Sequence, residues 1–219
     1  MHTLTEENYL KAIYHISESS GESVSTKSMA ENLTVNAASV TDMFKKLGDQ
    51  KLVIYEKSKG VKLTDKGKKV ALQIIRKHRL WETFLVEKLE FTWDEVHEIA
   101  EQLEHVHSDL LIERLDELLN YPKFDPHGGP IPDKQGRVPE LKSILLSEAK
   151  VGITYRITGV GKNSDAFLKY LNKTGLTLGQ SIKIKEIEEF DGSMKIQLIA
   201  TKSELMLSRE ASSNLFVNT

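Results

Sequence analysis

The sequence predicts a mainly α chain with a small β component: a winged helix-turn-helix head, a helical middle and an SH3-like β-barrel at the C-terminal end. Three observations predict it. A short amphipathic segment, a turn and a longer amphipathic segment lead directly into a basic, β-prone hairpin. Apolar residues then recur at helical spacing through residues 64–120. From about residue 147 the period changes to alternation. The expected domains are residues 1–64, 65–140 and 147–219.

In order, Thr5 is expected to cap a first helix with Glu6 and Glu7 in its first turn. Tyr9, Leu10, Ile13, Tyr14 and Ile16 form its apolar stripe, and Gly21 ends it. Ser25 caps the next helix, which turns Met29, Ala30 and Leu33 inward. After the turn TVNA, a longer helix buries Val40, Met43, Phe44 and Leu47. Leu52 to Tyr55 and Val61 to Leu63 are the arms of a hairpin turning at Ser58, Lys59 and Gly60. Residues 64–89 read as one long helix, and residues 96–109 as an acidic helix continued by DLLIERLDELLN. A Pro- and Gly-rich connection follows over residues 122–139. Beyond it, Val151, Ile153, Tyr155 and Ile157 alternate as a strand, and residues 163–172 form a helix capped by Asn163 or Ser164. Two strands flank the Asp191–Gly192 turn, and residues 204–207 and 215–217 make a final strand pair.

Composition narrows the function. With 39% hydrophobic and 28% charged residues the chain is ordinary for a soluble protein. No run of about 18 apolar residues suggests a membrane span. The opening residues show no secretory leader pattern. The absence of cysteine removes disulfides, thiolate ligands and a thiol nucleophile, and fits a cytoplasmic location. The net charge of -2 hides an asymmetry. Residues 1–79 carry 14 basic against 9 acidic residues, residues 80–148 carry 6 against 16, and residues 149–219 carry 10 against 7. A basic head suits a polyanion, and an acidic middle suits cations.

The head reads as a module for double-stranded DNA, with a protein-contact module as the alternative. Asn36, Ala38, Ser39 and Asp42 open the second helix of the motif and are expected to face base edges. Lys27, Thr41, Lys45 and Lys46 are candidate phosphate contacts, as are Lys57, Lys59 and Lys62 around the hairpin tip. In the acidic segment, His97, Glu101, Glu104 and His105 share one face if it is helical, and His78 and Glu82 are one turn apart on the preceding helix. Such carboxylates facing a core need a cation, which points to a divalent ion held between two helices. A solvated acidic face is the plainer alternative. Leu110, Leu111, Leu115, Leu118 and Leu119 exceed what one helix pair buries. They suggest a homodimer interface, against intrachain core; a dimer would place two reading helices on a palindromic operator.

The helix-turn-helix, the wing YEKSKGVKLTDKGKK, KHRLWETFL, VHEIAEQLEHVHSD and PHGGPIP, in that order, resemble the DtxR/MntR family of metal-dependent transcriptional repressors over nearly the whole chain. The resemblance implies metal-activated binding to palindromic operators, a helical dimerisation and metal domain, and a FeoA-type SH3-like domain. It also implies a primary site at Asn8, His78, Glu101, Glu104 and His105, with Asn8 standing where relatives carry an acidic residue or Met. Lys11 stands at a position that is acidic in some relatives. An ancillary site is implied at Glu82, Asp125 and His127, with Asp165 or Asn163 from the last domain; iron-type relatives use His97 with His78 and Glu82 instead. Oxygen and nitrogen donors without sulfur suit Mn²⁺ or Fe²⁺. Glu101 stands where iron-type members carry Cys, which favours Mn²⁺. The expected switch has Glu82, Glu101 and Glu104 repelling one another without metal, so that the first helix is free to move. A metallohydrolase is the remote alternative: Glu101, Glu104 and His105 match H-x-x-E-H except at its first position. No separate nucleophile or general base accompanies them, so no enzyme activity is expected.

Overall fold

The structure is a computed structural model and describes residues 2–161 and 164–219, apart from the side chains of Ser19, Ser20 and Asp165. The chain divides into two compact units. The first comprises Met1–His78, Leu103–Ser108 and Pro132–Val138; the second comprises Arg79–Gln102, Asp109–Ile131 and Pro139–Thr219.

In the first unit, α1 (Leu4–Ser20) is capped by Thr3, not Thr5. The Thr3 hydroxyl accepts from Glu6 N (3.3 Å) and the Glu6 carboxylate accepts from Thr3 N (2.8 Å). Thr3-Leu4-Thr5-Glu6 completes a capping box, whereas Thr5 would find Asn8 at the reciprocal position. Gly21 closes the helix in the left-handed region at φ 68°. Ser25 caps α2 (Thr26–Leu33) and Asn36 caps α3 (Ala37–Asp49), as the motif predicts. β1 (Val53–Glu56) and β2 (Gly60–Leu63) pair antiparallel as the wing, and Val61 also bridges to Val24. Gly60 permits that approach: at φ 89°, a Cβ there would lie 2.4 Å from Val24 O. Leu10, Ile13, Met29, Val40, Phe44, Leu47, Leu52 and Val61 form the core of this unit.

The long helix α4 (Asp65–Leu89) is continuous. The acidic segment is not. α5 (His97–Leu103) stops before Glu104, and α6 (Asp109–Leu118) starts afresh. His105, Val106, His107 and Ser108 are weak helix formers, and Asp109 favours a helix start. The shared face expected of His97, Glu101, Glu104 and His105 therefore does not exist. His97 and Glu101 fall in the second unit, Glu104 and His105 in the first.

In the second unit, Ile112, Leu115 and Leu119 pack with Leu80 and Ile131, while Leu110 and Leu118 are 67% and 58% exposed. The leucine stripe thus splits between intrachain core and a bare outer face. β3 (Ile144–Leu145), β4 (Thr154–Val160), β5 (Ser181–Ile187), β6 (Met194–Leu198), β7 (Glu204–Leu207) and β8 (Leu215–Asn218) form one antiparallel sheet in the order β3-β8-β4-β5-β6-β7. Register breaks at Ile157/Gly159 and Ile184/Glu186 bend it around Tyr155, Ile157, Ile182, Ile184, Ile196 and Val217. β4 starts later than expected, after Gly152 in the left-handed region at φ 85°. β7 and β8 do not pair with each other: α8 (Arg209–Ser212) separates them, so β7 adds to β6 while β8 lies between β3 and β4. α7 (Asp165–Thr174) has Ser164 at its N-cap; the alternative cap, Asn163, lies outside the described residues.

Candidate metal centre

Two clusters of donor side chains emerge, one in each unit. In the first, Glu104 is fully buried in the turn after α5. Lys11 Nζ, on α1, donates to both its oxygens at 2.8 and 2.7 Å. His78 Nδ1 donates to Oε2 at 2.6 Å. Burial pushes the Glu104 carboxyl up, but the His78 hydrogen bond and the Lys11 charge outweigh it and hold it below the usual range. His105 Nδ1 donates to Glu7 Oε2 at 2.6 Å, which turns its Nε2 towards Glu104, 3.7 Å from Oε1. A carboxylate bonded to one ring nitrogen while the other faces an anionic pocket is the arrangement of an oriented metal-ligating histidine. Next to Glu7, Asn8 Oδ1 is buried with no hydrogen-bond partner among the described residues.

The expected repulsion is therefore not what this cluster shows. Glu104 is neutralised from within the chain, and α1 is already fastened through Lys11–Glu104 and Glu7–His105. The sequence does not single out Glu7 as the partner of His105, because two glutamates in a first turn read equally well as helix-dipole charges. The neighbouring Glu6 faces elsewhere. It accepts from Gln50 Nε2 at 2.6 Å and lies 3.3 Å from Lys46 Nζ, both at the end of α3. Burial would raise its pKa, but the Thr3, Gln50 and Lys46 contacts hold it down at about 2.

In the second unit, Glu82, Asp125 and His127 bring ligand atoms within 4.8 Å of one another, all of them buried. His127 Nε2 donates to the Trp93 carbonyl at 2.7 Å, so in a neutral ring Nδ1 carries the lone pair. Among the described residues that Nδ1 has no hydrogen-bond partner, and it stands 3.4 Å from Glu82 Oε2. Two acceptors facing each other in a buried site require a proton or a cation between them. Burial lowers the His127 pKa, yet the Glu82 carboxylate opposite it, with Asp125, raises it overall. Burial and then Glu82 raise the Asp125 carboxyl, while Arg79, 3.3 Å away, pulls it back. Asp125 Oδ1 accepts from the backbone of His127 and Gly129 at 2.8 and 2.9 Å, shaping the loop. Gly128 sets that loop on β4: at φ 84°, a Cβ would lie 2.1 Å from Thr158 O. Trp93 stacks on the His127 ring and donates from Nε1 to Asn172 of α7 at 2.8 Å. His97 stands 3.5 Å from Glu82 and 3.7 Å from Glu101. Of the expected last-domain donors, the Asp165 side chain and Asn163 lie outside the described residues.

On the helix-turn-helix face, Ala38, Ser39, Asp42 and Lys45 are exposed along α3, as are Lys27, Lys57, Lys59 and Lys62. Asn36 uses its side-chain oxygen on Ser39 N, and Thr41 donates back to Ala37 O, so neither presents its full hydrogen-bonding capacity outward. Lys46 is committed to Glu6.

Comparison with known proteins supplies the family. Residues 1–61 match "Iron dependent repressor, N-terminal DNA binding domain", residues 64–133 match "Iron dependent repressor, metal binding and dimerisation domain", and residues 144–219 match the FeoA domain. The HTH-type transcriptional regulator MntR of Oceanobacillus iheyensis is 34% identical over 145 residues, covering 66% of this chain and 91% of that protein. The iron-dependent repressor IdeR of Mycobacterium tuberculosis is 35% identical over 128 residues, covering 58% and 55%. The chain thus spans about half the length of the IdeR relatives, and 16% of a chlamydial protein described as a probable metal transport system membrane protein. A solved "manganese-dependent transcriptional repressor complex with manganese" superposes with a TM-score of 0.88 at 36% identity, covering 98% of this chain and 99% of that one. The chain belongs to the iron-dependent repressor family.

Proposed function

We propose that the chain is a dimeric, divalent-metal-activated transcriptional repressor that binds a palindromic DNA operator. Manganese is the favoured ion and iron the second. The observation that carries the reading is the buried Nδ1 of His127, which has no hydrogen-bond partner among the described residues and stands 3.4 Å from Glu82 Oε2. Glu82, Asp125 and His127 would hold one ion, and Asn8, His78, Glu104 and His105 another, with Glu7 orienting His105. A bound divalent ion supplies concentrated positive charge and fixed coordination at each cluster. The donors are carboxylate and amide oxygens and imidazole nitrogens without sulfur, which suits Mn²⁺ or Fe²⁺. The manganese-named structural relative favours the first, and the IdeR relatives keep iron as the second.

The chain's own residues carry the signal. α1 presents Glu7, Asn8 and Lys11 to the first cluster, and Glu6 to Gln50 and Lys46 at the end of α3. A change in how α1 sits on Glu104 and His105 therefore moves the anchor of the DNA-reading helix. The exposed α6 leucines suit a two-fold interface, which would set the spacing of the two reading helices. We assign no catalytic role, and a cytoplasmic location follows from DNA as the partner. The described residues contain no helix long and apolar enough to cross a membrane. The test is a gel-shift titration of the chelated protein on its own promoter. Added Mn²⁺ is expected to tighten binding about a hundredfold, a coupling of a few kcal/mol; equal affinity with and without metal would refute the proposal.

A further inference from the structure

The geometry points to Lys11 as an internal competitor for the metal: its ammonium holds the carboxylate oxygens of Glu104 that a divalent cation at the first cluster needs. This rests on the reading of that cluster as a metal site, and it concerns what sets the site's threshold. A carboxylate offers about four acceptor positions. On Glu104, Oε2 accepts from both His78 and Lys11, and Oε1 accepts from Lys11. Three of the four positions are thus filled, two of them by one ammonium. Glu104 is 0% exposed, so it draws no counter-charge from solvent. The Lys11 side chain is 14% accessible, enough for the ammonium to leave along its own flexible stem.

Two further groups could serve a cation. His105 Nε2 is turned towards Glu104 by Glu7, and Asn8 Oδ1, one turn before Lys11 on the same helix, is buried with no hydrogen-bond partner among the described residues. An ammonium and a divalent ion cannot both sit on the Glu104 oxygens without strong repulsion. Lys11 must release Glu104 as the ion takes it. The exchange replaces one cation by another, so α1 stays attached in both states and changes only the residue that attaches it. The metal concentration at which the protein responds is then set partly by the strength of the Lys11–Glu104 pair.

The experiment is a Mn²⁺ titration of the full chain, wild type and Lys11→Met, by electron paramagnetic resonance or calorimetry. The wild type is expected to show two classes of site. Lys11→Met is expected to tighten one class at least tenfold and leave the other unchanged, and Lys11→Arg, which keeps the charge, to tighten neither. Unchanged or weaker binding in Lys11→Met overturns the competitor role while leaving the metal reading intact. A single class in the wild type overturns both. Should Lys11→Met fail to fold, the wild type decides. Acylation of Lys11 by an amine-reactive ester, followed by mass spectrometry, is expected to run several-fold faster with Mn²⁺ than without. Equal labelling overturns the proposal.

Discussion

The two clusters use the same kinds of donor and meet the cost of buried charge in opposite ways. Around Glu104, the chain supplies its own cation, and the carboxyl is held below its ordinary range. Around Glu82, Asp125 and His127, Arg79 offsets one carboxylate, but the bare His127 Nδ1 still faces another, and both Asp125 and His127 are driven towards their protonated forms. The contrast teaches that a buried carboxylate is not in itself a sign of a bound ion. What matters is whether the fold has already provided the opposite charge. A cation at the first cluster must displace Lys11 from Glu104, whereas at the second the His127 Nδ1 has no hydrogen bond among the described residues to give up.

The largest test of that contrast removes Glu104. In the metal-free protein, Glu104→Ala leaves the Lys11 ammonium and His78 without their buried acceptor. Breaking a buried pair by deleting one partner costs about 3–5 kcal/mol. Urea denaturation is expected to show a loss of that order, and a Lys11→Met/Glu104→Leu double variant to recover most of it. A loss comparable to that of a surface pair would mean that Glu104 is not settled by Lys11, and the contrast would fail.

Acid should separate the two units next. The pKa of Glu6 is lowered from 4.5 to about 2, so its contribution is fully present above pH about 4.5. It is lost as the pH falls towards about 2. A shift of that size is at most on the order of 3 kcal/mol. Asp125 runs the other way: its pKa is raised, so its charged form costs stability at neutral pH and acid relieves that cost. Stability measured by denaturant across this range should fall more steeply in wild type than in Glu6→Gln. Parallel curves would show that the clasp between α1 and α3 is not electrostatic.

How much of this was legible follows from distance along the chain. The caps at Ser25 and Asn36 and the stop at Gly21 are local, and the sequence announces each of them. Thr3-x-x-Glu6 was equally readable as a capping box, although Thr5 was the expected cap. The break after Leu103 was only weakly marked, by the poor helix formers from His105 to Ser108, while Glu104 and His105 keep a helical spacing to His97 that an unbroken helix would satisfy. What stands in its place is a set of contacts to α1 across more than ninety residues, which no local pattern encodes. The pairing of β7 with β6 and of β8 with β4 was hidden for the same reason. The grouping of Glu82, Asp125 and His127 was visible through the resemblance, and their ligand atoms do lie within 4.8 Å of one another. The counter-charge was not: Lys11 read as a departure from an acidic position, and only its place on Glu104 makes it a cation in its own right.

The smallest effect has the opposite sign, and it bears most directly on the second cluster. In metal-free protein, Glu82→Gln replaces a carboxylate facing the His127 lone pair with an amide that can donate to it. The like-charge pressure on Asp125 falls at the same time. His127 can then stay neutral, with Nε2 on the Trp93 carbonyl and Nδ1 satisfied. The substitution should stabilise the metal-free protein by roughly 1 kcal/mol, the scale of one net hydrogen bond. It should also abolish the stabilisation that added Mn²⁺ confers through this cluster. A thermal melt with chelator and another with Mn²⁺ measure both at once: the variant should melt above wild type in the first and below it in the second. A variant that melts lower under both conditions would mean that Glu82 is already settled within the fold, and that the second cluster resembles the first.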